Sequence, residues 1–250
     1  MVDIHSHILP MLDDGSGSFE ETIEMLSIAQ HYNVRHIVAS SHGNMEQYPY
    51  EVERYKEAFK RLQDKIRHRD MRVRIYPGME IMLGDDTSVA EVISKLKSGQ
   101  LLTINDTDYV LVEVPFTVST RYITEHTQPL IDAGYKVILA HPERYHVIKA
   151  RPERAEELVG SGLILQVNAG SIADVFGREC RQAALQMLDM DMAQIIATDA
   201  HDTRRRSHNM NGAMDMLESR YDDDMIHMWL SENPSRVLKG MELLHISDIR

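Results

Sequence analysis

The chain has 250 residues, 43% of them hydrophobic, and a formal net charge of −12, which is enough apolar material for one large core and the wrong sign for coating a nucleic-acid backbone. Its single cysteine, Cys180, excludes an internal disulfide framework and a four-cysteine zinc site, and is expected to be an inert thiol on a helix. No stretch approaches the roughly 20 apolar residues of a membrane span, and the start lacks a basic region followed by an apolar run, so a cytoplasmic protein without membrane insertion is expected.

Strand-length hydrophobic runs alternate with helix-period segments, and no linker or repeat divides them, so residues 1–250 are expected to form a single domain. Val2–His5 reads as the first strand. Ser18 with Glu21 has the spacing of a capping box, and Phe19, Ile23, Leu26 and Ala29 follow at helical intervals. Gly15-Ser16-Gly17-Ser18 before them lacks the lysine of a phosphate-binding loop and reads as a turn. Arg35–Ser40 is a second strand, ending at Ser41-His42-Gly43. Across Tyr50–His68, the residues Val52, Tyr55, Phe59, Leu62 and Ile66 form one stripe of a long amphipathic helix, which is core packing.

Val73–Tyr76 is a third strand that breaks at Pro77-Gly78 and delivers Glu80. A helix through Val89–Leu96 leads to the fourth strand, Tyr109–Val114, carrying Glu113. After a helix near Ile123–Ala133, the fifth strand, Lys136–Ala140, ends in His141-Pro142-Glu143-Arg144. A helix over Pro152–Val159 precedes the sixth strand, Leu163–Val167, which closes at Asn168-Ala169-Gly170. The helix Gly177–Met190 leads to the seventh strand, Gln194–Ala197, and then to Thr198-Asp199-Ala200-His201; helices near Asn209–Arg220, Asp224–Leu230 and Pro234–Gly240 finish the chain. Seven strand–helix units imply parallel pairing through right-handed crossovers, hence an α/β fold: a distorted (β/α)7 barrel resembling the eight-fold one.

In such barrels the carboxyl ends of the strands converge on one mouth. Here six of the seven deliver a metal-type ligand: His5 and His7, His42, Glu80, Glu113, His141, and Asp199 with His201, with Asp14 in the acidic turn behind the first strand. Taken singly, each is a side chain that a loop or a hydrogen bond could explain. Together they are the neutral imidazoles and hard carboxylates that a divalent cation requires. Arg144 and Arg206 follow His141 and His201 at the same rim, where guanidinium forks suit phosphate oxygens, with surface guanidiniums solvated or paired with nearby acids as the equal alternative.

The pattern Asp3-Ile4-His5-Ser6-His7, Asp14-Gly15, His42, Gly78-Met79-Glu80-Ile81, Glu113, His141-Pro142-Glu143-Arg144 and Asp199-Ala200-His201 resembles the polymerase and histidinol phosphatase superfamily over roughly Met1 to Val237. The Asp3–Pro10 opening, the His141–Arg144 stretch and the Arg206 spacing make it most similar to bacterial manganese-dependent protein tyrosine phosphatases of capsule and exopolysaccharide operons, the group typified by pneumococcal and Bacillus enzymes. The resemblance implies the superfamily's barrel and a trinuclear site. One ion would be held by His5, His7, Glu80 and Asp199, a second by Glu80, Glu113 and His141, and a third by Asp14, His42 and His201. It also implies that Arg144 and Arg206 contact phosphate. Some relatives carry a second histidine where Gly43 stands, a change expected to alter the pocket rim.

The implied activity is hydrolysis of phosphotyrosine by a metal-activated hydroxide, with three divalent ions, manganese foremost and zinc or iron as alternatives. The implied partner is the disordered C-terminal tail of a bacterial tyrosine kinase, reached through an open mouth. Relatives self-associate at the helix start around Phe19–Thr22, so a homo-oligomer is also implied. A cysteine-dependent mechanism is excluded by the residues themselves, because the position six after Cys180 is Gln186 and not arginine. Two readings compete: a small-molecule phosphoesterase such as a histidinol phosphatase, and a metal-stabilised protein that docks a kinase without catalysis.

Overall fold

The computed structural model describes residues 1–44, 46–48 and 50–249. Its strands are β1 (Val2–Ser6), β2 (His36–Ala39), β3 (His42–Gly43), β4 (Arg74–Pro77), β5 (Glu80–Met82), β6 (Tyr109–Glu113), β7 (Lys136–Ala140), β8 (Ile164–Asn168) and β9 (Ala193–Ala197). All pairings are parallel, in the orders β1-β2-β4 and β3-β5-β6-β7-β8-β9. The second and third expected strands are therefore each broken in two, β2 continuing into β3 and β4 into β5, so seven strand positions remain. The break in the third falls at Gly78, where an added Cβ would lie 2.4 Å from Val38 Cγ1 and the backbone N–H donates to the Tyr55 hydroxyl. Backbone bonds from His7 N to Ala200 O and from Asp199 N to His5 O, both 2.8 Å, join the first strand to the last and close the barrel.

Helices pack outside: α1 (Phe19–His31), α2 (Val52–His68), α3 (Val89–Lys97), α4 (Thr120–Asp132), α5 (His146–Ala150), α6 (Ala155–Gly160), α7 (Ala169–Ile172), α8 (Arg178–Asp189), α9 (Asn211–Glu218), α10 (Asp223–His227) and α11 (Asn233–Val237). Two of them, α5 and α7, fall where the sequence reads as connection, because five and four residues are too few to show a helical period. Ser18 caps α1 as expected, its side chain accepting from Glu21 N. The return arm differs: Glu21 Oε2 accepts from Gly17 N, one residue earlier than a capping box requires. Cys180 is buried on α8, in keeping with an inert thiol.

Two apolar layers hold this arrangement. Val2, Ile4, Val38, Leu111, Ile138 and Ile195 fill the barrel interior, while a larger cluster lies between strands and helices. Each buried aliphatic side chain contributes on the order of 1.5–3 kcal/mol of transfer free energy. Val237 and Leu238 join the interior layer, Asn105 donates to Leu238 O, and the Tyr109 hydroxyl donates to Met241 O at 2.6 Å. The C-terminal segment thus plugs the amino-terminal end of the barrel and leaves the other end as its mouth. Among the described residues no helix is long and apolar enough to cross a membrane.

Candidate metal centre

The first strand aims two histidines into the mouth by an irregularity that alternation does not foretell. Val2 faces His36 and Asp3 faces Ile37, but Ser6 faces Ala39, so three steps on β1 match two on β2. This bulge lets Ile4 fill the interior while His5, its neighbour, also turns inward. Outward, Asp3 accepts from Thr198 and from His5 N, and Ser6 Oγ lies 3.0 Å from His208 Nε2, pinning β1 to β9 and to the segment that follows it. At the other strand ends, His141 (φ 38°) and Asp199 (φ 54°) adopt left-handed backbone, which re-aims their side chains and stores local strain of about 1 kcal/mol or more each.

Glu80 is the centre of the resulting cluster. Its Oε2 lies 3.2 Å from His5 Nε2, His7 Nε2 and His42 Nδ1, and its Oε1 lies 3.0 Å from His141 Nε2. Asp199 Oδ1 approaches His5 Nε2 at 3.4 Å and His7 Nε2 at 3.6 Å, Glu113 Oε1 lies 3.1 Å from His42 Nδ1, and Asp14 Oδ1 lies 3.3 Å from both His42 and His201. All nine residues expected as ligands therefore meet at one place. They sort into overlapping groups of mutually close ligand atoms: His7, Asp14, His42 and His201; His5, His141 and Asp199; His5, His7 and Glu80; and His42, Glu80 and Glu113. These differ from the expected sets in placing His42 beside Glu80 and Glu113, His141 with His5 and Asp199, and His7 with the Asp14 group.

The hydrogen bonds around the cluster fix which nitrogens face it. His5 Nδ1 donates to Gln166 Oε1 and His7 Nδ1 to Asp13 Oδ2, each at 2.8 Å, and His201 Nδ1 donates to Asp199 O at 2.9 Å. Gln166 is oriented by its own amide donating to Asn168 Oδ1, and Asn168 donates onward to Asp199 Oδ2. These partners assign the protons, and leave Nε2 of His5, His7 and His201 to act as lone-pair donors. The Nε2 atoms of His5 and His7 then stand only 3.3 Å apart, a repulsive contact unless a positive charge is shared between them. His42 Nδ1, Glu113 Oε1, His141 Nδ1 and His201 Nε2 are buried without a hydrogen bond. Clustered, part-orphaned imidazole and carboxylate donors fit divalent cations of the manganese, zinc or iron type.

Both predicted arginines reach this centre, and both meet Asp199. Arg206 Nη2 donates to its two oxygens at 2.9 and 2.8 Å, and Arg144 Nη1 donates to Oδ2 at 3.1 Å. The Arg144 guanidinium lies 4.8 and 4.6 Å from the ring centres of Phe116 and Phe176. The cluster opens to solvent at Asp14, 40% exposed, whereas His42 beside it is buried and Tyr48 stacks over it with an interplanar angle of 6°. Gly43 does not shape that rim. It is buried, and a Cβ there would lie 2.0 Å from Met79 Sδ, so the methionine side chain occupies the space a second histidine would take.

A family model for capsular polysaccharide synthesis proteins of the CpsB/CapC type matches residues 1–239. The chain belongs to the CpsB/CapC family. Among curated relatives, the tyrosine-protein phosphatase YwqE of Bacillus subtilis (strain 168) is 33% identical over 97% of this chain and 93% of its own length. A solved structure of YwqE and CpsB, described as metal-dependent tyrosine phosphatases, superposes with a TM-score of 0.89 at 32% identity, covering 98% of this chain and 97% of that one. A lactonase from Listeria monocytogenes shares the barrel at 11% identity, with a TM-score of 0.63 over 96% of this chain and 95% of that one.

Charge balance in the CpsB/CapC chain rests on protons wherever cations are withheld. Burial pulls the His5 imidazole down, but the Glu80 and Asp199 carboxylates outweigh it and raise it to about 9. For His42, burial is likewise overcome by Glu80, Asp14 and Glu113, to about 12. Asp13, despite burial, is held down to about 2 by His7. A raised histidine stabilises the fold below its unfolded value near 6.5, and that contribution is lost as pH climbs through the folded value. Metal-stripped protein is therefore expected to lose on the order of 3 kcal/mol between pH 6.5 and just above 9 through His5 alone. Thermal melts in chelator should fall by roughly 5–10 °C over that window, whereas manganese-loaded protein should not. Parallel melting curves for the two preparations would contradict this.

Proposed function

We propose that this protein is a metal-dependent protein tyrosine phosphatase acting as a single domain, with His5, His7, Asp14, His42, Glu80, Glu113, His141, Asp199 and His201 holding three divalent cations, manganese in the first instance. The observation that carries the reading is the meeting of these nine side chains around Glu80 at the barrel mouth. The family match and the names of its relatives support a phosphotyrosine ester as substrate.

Bound at this cluster, divalent cations would neutralise a phosphate monoester and lower the pKa of a water molecule. The chain's own residues do the rest. Gln166 and Asp13 hold the His5 and His7 rings with Nε2 inward, and Asn168 steadies Asp199. Arg206 and Arg144 present guanidinium groups at the open side, where they would take non-bridging phosphate oxygens. A phosphotyrosine on a disordered tail, such as that of a bacterial tyrosine kinase regulating capsule or exopolysaccharide synthesis in the cytoplasm, reaches such a mouth without unfolding.

The deciding experiment loads purified protein with manganese and compares a phosphotyrosine peptide with histidinol phosphate. Preference for the peptide is expected. Turnover of histidinol phosphate with no action on the peptide would overturn the reading.

A further inference from the structure

Beside the mouth, on the Arg206 flank, lies a cavity of about 180 Å³ lined by Phe176, Thr198, Arg204, Arg205, Arg206 and Asn209, among others. No carboxylate lines it. In a chain of net charge −12, Arg204 and Arg205 face this cleft without an ion-pair partner among the described residues, beside Arg206, which is paired with Asp199. Asp202 accepts from the backbone N–H of Arg204 and Arg206, and Asp174 pairs with Arg181. Among the described residues Arg204 has no ion-pair partner, and Arg205 is held only by a bond to Val175 O at 3.3 Å.

The turn that carries these arginines is firmly built. His201 N and Asp202 N both donate to Arg206 O, at 2.7 and 3.0 Å, and buried His208 fastens the turn to Ser6 on β1. Arg206 belongs to both places, lining the cleft and donating to Asp199 at the metal centre. Phe176 does the same, lining the cleft and covering Arg144. The opposite flank carries the other sign: Glu46, Asp85, Asp86 and Glu91 line a cleft of about 370 Å³ beside Met82 and Pro115, next to the ends of β5 and β6. An extended peptide crossing the mouth meets basic side chains in one direction and acidic ones in the other.

We propose that the Arg204–Arg205–Arg206 cleft is a subsite for a second anionic side chain of the same peptide, so that substrates with an acidic group on one side of the phosphotyrosine are preferred. This rests on the phosphatase reading given above and adds to it a specificity determinant outside the metal cluster. The cavity is small against the 300–1,000 Å³ of a drug-sized pocket, and suits one carboxylate or one phosphoryl group. Guanidinium forks bind either.

The test uses manganese-loaded protein and four phosphotyrosine peptides: a neutral one, one with glutamates only before the phosphotyrosine, one with glutamates only after it, and one with a second phosphotyrosine. Wild-type kcat/KM should favour one glutamate placement over the neutral peptide by roughly tenfold, mostly through KM. In the Arg204→Ser, Arg205→Ser double variant that ratio should fall to within about twofold of unity. A gain confined to the doubly phosphorylated peptide would assign the cleft to phosphoryl groups over carboxylates. Equal rates for all peptides, or a preference that survives the double substitution, overturns the proposal. The same peptides with a non-hydrolysable phosphonate in place of the ester give dissociation constants without turnover. Absence of hydrolysis for every peptide would sink the phosphatase reading, and the phosphonate comparison would still decide the subsite.

Discussion

Glu80→Gln is expected to lower phosphotyrosine turnover by roughly a thousandfold or more, equivalent to about 4 kcal/mol of transition-state stabilisation. The substitution keeps the shape of the side chain and removes its charge. One carboxylate here stands within 3.2 Å of nitrogens from four imidazoles, His5, His7, His42 and His141, so its charge bears on four of the proposed ligands at once. An amide offers one acceptor oxygen and an NH₂ that points hydrogens at lone pairs, so the substitution removes charge and half of the donor capacity together. Elemental analysis should show fewer bound ions per chain, and circular dichroism an intact fold, because the interior layer of Val2, Ile4, Val38 and Leu111 is untouched. Wild-type turnover with full metal content in this variant would mean that Glu80 does not bridge.

Much of this centre was legible in the sequence because strand ends are legible. A run such as Tyr109–Val112 or Val137–Ala140 is buried throughout and carries no charge, so the polar residue that follows it, Glu113 or His141, marks the mouth. What surrounds the ligands was harder to see. Asp13 and Asp14 are adjacent acids in one turn, and only the folded chain shows that Asp13 braces His7 while Asp14 faces His42 and His201. Gln166 left one signal, a lone amide inside the apolar run Leu163–Val167, but its partner His5 lies 161 positions away and pairing at that range is set by barrel closure. The bulge in β1 and the left-handed turns at His141 and Asp199 leave no compositional mark, since they arise from register and not from glycine. Phe116 and Phe176, distant in sequence, become visible only when both rings are found against Arg144.

The same limit applied to the arginines, and Arg206 gives the sharper test. Sequence position places it at the rim, whereas the structure has its Nη2 on both oxygens of Asp199. Two roles follow from that geometry, gripping substrate phosphate or holding a ligand carboxylate in place, and they predict different losses. Asp199 keeps two other donors, Arg144 Nη1 and Asn168 Nδ2, when Arg206 is removed. Arg206→Ala is therefore expected to retain its metal while kcat/KM for a phosphotyrosine peptide drops by about a hundredfold, the scale of one lost charge-stabilising donor. Arg206→Lys should recover only part of the loss, because an ammonium restores charge but not the planar fork. If metal content falls in step with activity in both variants, Arg206 works through Asp199 and the phosphate must be gripped by Arg144 alone.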